Sequence, residues 1–219
     1  MEVVSAYLII NADDFGMSPV FNTVILDLAE RQLISSTTVM VNRVSTDQHP
    51  QLADLVSIAS STNLSIGLHV EFIPSDYPAQ IRSQFQRFQQ LFGISPSHLD
   101  IHRAHDHRAA FTSLAQFCQS HTLPMRNNGV AHSGVVTTDT EAFFGSVADF
   151  SQIETWLQTF EDGKTYEILF HPGKYDPSST SSLNHERGRD VAHVALLHAL
   201  LPNYGIKLVS YHDVASQQT

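Results

Sequence analysis

Tyr7-Leu8-Ile9-Ile10-Asn11-Ala12-Asp13-Asp14-Phe15-Gly16 places two adjacent carboxylates and a glycine directly after an apolar run. A short run of this kind reads as a buried strand. It carries the carboxylates to the strand's carboxyl end before Gly16 lets the chain turn. Neighbouring side chains on an extended backbone point in different directions. One carboxylate can therefore hold a metal while the other faces a water, the division of labour a metal-assisted hydrolase needs.

Outward from this stretch, apolar runs alternate with helix-like patterns. Strands are expected at Tyr7–Ala12, Thr37–Val41, Leu64–Val70, His98–His102, Tyr166–Phe170 and Lys207–Tyr211. Ser18 is the expected N-cap of a first helix, with Pro19 at its first position. Ser151 to Glu154 fits a capping box opening another. A last helix is expected from about Asn184 to Leu201, stopped by Pro202. Ser178–Ser182 reads as a loop, and Gly129–Asp149 has no clear period and suits a short strand and a loop over the site. The alternation predicts an α/β fold with a parallel sheet, open or closed into a barrel, over one domain spanning residues 1–219. Such sheets place ligands at the carboxyl ends of their strands.

Bulk properties narrow the function. Twelve Lys and Arg stand against 22 Asp and Glu, a formal charge of -10, so a nucleic-acid partner is not expected. No apolar run approaches the roughly 20 residues that span a bilayer, so no membrane partner is expected. The absence of a basic-then-apolar N-terminal pattern and the single Cys118 predict a cytoplasmic protein without disulfides.

Thirteen His residues are unusual, and several follow strands. Gly67-Leu68-His69 ends the third expected strand. His98-Leu99-Asp100-Ile101-His102 forms the fourth and precedes His105 and His107; at most two of this group can reach one metal. Phe170-His171-Pro172-Gly173 ends a late strand. A parallel sheet gathers such ends on one rim, and that convergence carries more weight than any single motif.

Asn11–Gly16 resembles the opening signature of the YdjC-like carbohydrate deacetylases, also called chitooligosaccharide deacetylases. Ser35–Asn42, Gly67–His69, Pro96–His102, His171–Gly173 with Asp176, and Gly205–Tyr211 are similar to that family's later elements, in order. The resemblance implies a distorted, incomplete (β/α) barrel that removes an acetyl group from an N-acetylated sugar. It implies one divalent metal ion, Mg or Zn, held by Asp14, His69 and His102, with Asp13 as base and His171 as acid. Ile101 stands where the family usually has Ser, and Arg103-Ala104 separates His102 from His105, which leaves His105 as the alternative third ligand. The chain is short between Val70 and Phe85, where the family often carries a longer insertion.

Phe15, His105, Arg126 and Tyr175 are the candidate substrate contacts, and Arg126 is placed to pair with Asp13. The expected partner is a small carbohydrate, and the resemblance with the apolar helix faces predicts a homodimer. Two other readings are kept: a metal-dependent hydrolase of another ester or phosphoester class, and a non-catalytic metal-containing carbohydrate-binding protein.

Overall fold

The computed structural model describes residues 5–216. Its organising element is β1 (Ala6–Phe15), buried along almost its whole length. A strand this apolar needs cover on both faces, which parallel sheets with flanking helices provide. β1 pairs along one edge with β6 (Thr165–Phe170). Its other edge is shared: Ala6–Leu8 pair with β7 (Ile206–Leu208), and Asn11–Phe15 pair with β2 (Ser36–Val39). β3 (Ser65–Val70), β4 (Leu99–Ile101) and the two-residue β5 (Phe143–Phe144) complete a wholly parallel sheet in the order β4-β3-β2-β1-β6-β5.

The sheet curls. Strands lie about 4.8 Å apart, so β4 and β6, four steps apart, would be separated by roughly 19 Å in a flat sheet. Yet the Arg126 guanidinium bonds both Asp100 of β4 and Glu167 of β6. Beyond β4, Met125 adds a single parallel bridge to Leu99. Residues 127–142 bridge the remaining side, held by Met125 N to Val136 O (2.9 Å) beyond β4 and by Asp139 N to Thr165 O (2.9 Å) at β6. This is the expected incomplete (β/α) barrel. Helices α1 (Pro19–Glu30), α2 (His49–Ser61), α3 (Tyr77–Phe92), α4 (Phe111–His121), α5 (Phe150–Leu157), α6 (Arg187–Leu200) and α7 (Tyr211–Ser216) complete it. No described helix is long and apolar enough to cross a membrane.

Ser18 caps α1 as expected, accepting from Val20 N at 3.1 Å. Elsewhere the boundaries moved for physical reasons. β7 stops at Leu208 because β2 occupies the β1 edge from Asn11 onward, and Tyr211 instead opens α7. The cap of α5 is Asp149, whose N–H donates to Gln152 Oε1 (2.8 Å), and not Ser151; Asp caps as well as Ser. Asn184 does not begin α6, because its side chain holds both backbone groups of Asp176 (3.0 and 2.7 Å). Pro202 lies inside a 3₁₀ turn that continues past α6.

Candidate active site

The end of β1 is not a plain strand. Its register shifts between Ala12 and Phe15, and Asp14 adopts a left-handed backbone (φ 72°). That conformation is tolerable for Asp but costs most side chains about 1–2 kcal/mol. It breaks the strand's alternation, so both carboxylates face one place: His171 Nε2 lies 3.9 Å from Asp13 Oδ2 and 4.0 Å from Asp14 Oδ2. Gly16 (φ 94°) then turns the chain where a Cβ would press on the Met40 carbonyl at 3.0 Å.

β3 brings His69 beside this pair. Register sets His69 opposite Asp100, and His69 Nδ1 bonds Asp100 Oδ1 at 2.7 Å. With its Nδ1 hydrogen committed to that carboxylate, the ring presents Nε2, 3.5 Å from Asp14 Oδ1. Gly67 permits this packing: the buried His98 ring lies over it, and a Cβ there would meet His98 Cε1 at 2.3 Å. His98 is in turn stacked on Tyr211 at 3.6 Å.

Asp14, His69 and His102 each offer a ligand atom, all within 4.8 Å of one another. Asp14 Oδ1 and His69 Nε2 are buried without a hydrogen-bond partner, as expected of atoms shaped for a cation. Asp13, His69 and Asp100 form a second such cluster, but both Asp13 oxygens accept from Arg126 (2.8 and 3.0 Å) and Asp100 is occupied by His69 and Arg126. The first cluster is therefore the one that fits a metal.

Charge supports the same conclusion. Arg126 also reaches Glu167 at 3.0 Å, and Arg187 meets Asp14 Oδ2 at 2.6 Å. Asp13, Asp14, Asp100 and Glu167 are four buried carboxylates against two guanidiniums and the His69 ring, so the cluster keeps an excess of negative charge that a cation can meet. Burial acts to raise the Asp13 carboxyl, but Arg126, His69 and His171 together hold it well below the usual range. Asp14 is likewise held low against burial, by His171, His69 and Arg187. Burial acts to lower His69, but Asp100 and Asp13 hold it well above the ordinary imidazole range. His102 is pushed down to about 4 by burial, His69 and His171, which leaves a neutral imidazole at neutral pH.

His171, at the end of β6, is placed by residues that sequence reading did not single out. Ser146 Oγ lies 3.0 Å from His171 Nδ1 and bonds Asp190, and Asp190 also accepts from His171 N at 2.8 Å. Phe144 sets its ring edge-on to His171 at 5.4 Å. Ser146, Asp190, Glu167 and Arg187 carry no motif signal. Asp100 had one, since it alternates with His98 and His102 along the fourth expected strand.

Of the expected substrate contacts, Arg126 is the one whose polar atoms reach the site. Phe15 is fully buried in the hydrophobic core and packs the barrel, where no sugar reaches it. Arg126 does pair with Asp13, but its three carboxylate partners leave its side chain 11% exposed and spent on holding the site. The His105 side chain is 74% exposed and pairs with Asp106, outside the metal-competent cluster that includes His102. Tyr175 is exposed and stacks on His185 at 4.8 Å.

The family profile described as YdjC-like protein matches residues 7–79 and 74–198. The chain belongs to the YdjC-like family. Among its relatives, a chitooligosaccharide deacetylase of Proteus mirabilis is 26% identical over 251 positions, covering 94% of this chain and 98% of the relative. A carbohydrate deacetylase of Geobacillus stearothermophilus is 25% identical over 244 positions, covering 94% and 97%. In fold, the chain is similar to the crystal structure of a candidate cellobiose-phosphate cleavage protein of Enterococcus faecalis V583. The TM-score is 0.76 at 19% identity, covering 96% of this chain and 99% of that one.

Proposed function

We propose that this YdjC-like protein is a metal-dependent deacetylase that hydrolyses the acetamide of an N-acetylated sugar, of the chitooligosaccharide type named for its relatives. One observation carries the reading. Asp14 Oδ1 and His69 Nε2 are buried, unpartnered and 3.5 Å apart, beside a second carboxylate and a second histidine that converge on them.

Asp14, His69 and His102 would hold the cation. A bound Zn²⁺ or Mg²⁺ supplies acidity to a coordinated water and polarises the substrate carbonyl. Asp13 is the base. Its Oδ1 accepts from Asn11, Thr38 and Arg126, so Oδ2, which faces His171, is the less occupied oxygen. Arg126 keeps Asp13 ionised but weakly basic, so it suits a water already made acidic. His171 is the acid: Nε2 faces the carboxylates and gives its proton to the amide nitrogen, whose departure as a free amide anion is unfavourable. Ser146 on Nδ1 and Asp190 on the backbone N–H fix the ring's orientation.

The phosphoester reading is disfavoured because both guanidiniums nearest the site, Arg126 and Arg187, are committed to carboxylates and cannot hold a phosphate. The test is acetate release from N-acetylated chitooligosaccharides by protein stripped with EDTA and reloaded with Zn²⁺ or Mg²⁺. Asp13→Asn and His171→Ala should each lower turnover by at least about a hundredfold with the fold intact. Near-normal release by either variant rejects its assigned role, and sugar binding without acetate release favours the non-catalytic reading.

A further inference from the structure

Arg187, the first residue of α6, has no exposed surface, a rare state for arginine. Its guanidinium lies 3.8 Å over the Phe21 ring. Nη2 donates to Asp14 Oδ2 at 2.6 Å and to Ser181 Oγ at 3.0 Å, and Nη1 donates to the His171 carbonyl at 3.4 Å. Its stem runs beside the His171-Pro172-Gly173 turn. A Cβ on Gly173 would come within 3.0 Å of Arg187 Cδ and 2.9 Å of Phe21 Cδ1, so a side chain there would crowd both. Gly173 N also donates to the Arg187 carbonyl at 3.3 Å.

A fixed positive charge beside a cation site opposes cation binding, so affinity does not explain Arg187. Its geometric effect does. The two oxygens of Asp14 are made unlike: Oδ2 is occupied by Arg187, whereas Oδ1 is buried without a partner and faces His69 Nε2. We infer that Arg187 is a positioning residue that makes Asp14 a one-oxygen ligand and so biases the site against Ca²⁺. Ca²⁺ takes six to eight oxygens and readily accepts a carboxylate through both, whereas Zn²⁺ is satisfied by about four ligands. This rests on Asp14, His69 and His102 being the cation site.

The experiment is calorimetric titration of EDTA-stripped wild type, Arg187→Met and Arg187→Lys with Zn²⁺ and with Ca²⁺. In Arg187→Met the ratio of Ca²⁺ to Zn²⁺ affinity should rise at least about tenfold, whereas Arg187→Lys, which keeps a charged donor for Oδ2, should stay within about threefold of wild type. General loosening of the site would lower both affinities and leave their ratio in place, so an unchanged ratio in a folded Arg187→Met overturns the inference. If that variant does not fold, a crystal structure of the Zn²⁺-loaded wild type decides. Asp14 bound through Oδ1 alone, with Arg187 still on Oδ2, is the expected result. Asp14 bound through both oxygens with Arg187 displaced overturns it. Zn²⁺ binding by wild type with an unchanged ratio sinks only the role of Arg187. A wild type that binds neither cation sinks the cation site as well.

Discussion

Arg126→Met removes a cation that faces three buried carboxylates: Asp13 at 2.8 Å, Glu167 at 3.0 Å, and Asp100. Met has similar length and packs without strain, so the change is mainly electrostatic. Removing one partner of a buried ion pair typically costs 3–5 kcal/mol, because the other charge is left uncompensated. We expect a loss of about 4 kcal/mol at pH 7, a large share of the 5–15 kcal/mol that usually holds a fold. The assay is urea unfolding of EDTA-treated protein at pH 7 and pH 5. The sign with pH follows from the carboxyl shifts. In wild type, Asp13 lies well below its ordinary 3.8, so its contribution is present above that value and is lost only as pH falls through the depressed folded one. In the variant, burial is opposed by weaker partners, so the Asp13 carboxyl rises. Its protonation in the folded state then relieves the repulsion as pH falls. The difference between the two proteins should therefore shrink from pH 7 to pH 5, and the acid limb of turnover should move to higher pH. A loss under about 1 kcal/mol at pH 7, or one equal at both pH values, would refute the buried-charge account.

Other consequences are independent of this one. Gly67→Ala would drive a Cβ into the His98 ring at 2.3 Å, and Tyr211 stacked behind it at 3.6 Å blocks retreat. Overpacking of this kind costs about 3 kcal/mol, or roughly 6–12 °C of melting temperature at this chain length, and an unchanged melt would contradict it. The buried Cys118 thiol is pushed up to about 12 by burial. A disulfide reagent at pH 8 should leave it untouched in the native protein and titrate it after guanidinium unfolding; rapid native reaction would count against the packing described. Asp100 and Asp13 hold His69 protonated in the metal-free protein, so Zn²⁺ binding at pH 7 should release about one proton per ion. Calorimetry in buffers of different ionisation heat measures this, and no release would contradict a protonated His69 that gives up its proton to the ion.

Much of the architecture was legible in local sequence because it rests on local physics. Tyr7–Ala12, Leu64–Val70 and Tyr166–Phe170 read as strands from their apolar residues, and Ser18-Pro19 as a helix start; all four elements are present, with β1 running on to Phe15. Boundaries failed where partners decided them. The length of β7 depends on how much β1 edge β2 leaves free, and β5 exists because two phenylalanines reach the β6 edge. Phe15 illustrates the same limit: it was a candidate substrate contact beside the Asp pair, but the bulge at Asp14 turns its ring into the core.

The sequence by itself determined which residue types stand at the ends of the strands: Asp13 and Asp14, His69, His102 and His171. These follow from the run of each strand and need no knowledge of how the sheet closes. Only the tertiary structure decided how they are held. Arg126 binds carboxylates from three strands because the sheet curls, Arg187 reaches Asp14 across 173 positions of chain, and Ser146 and Asp190 meet His171 from separate elements. Buried charges must find partners wherever the fold brings them close, and that proximity is set by the curvature of the barrel.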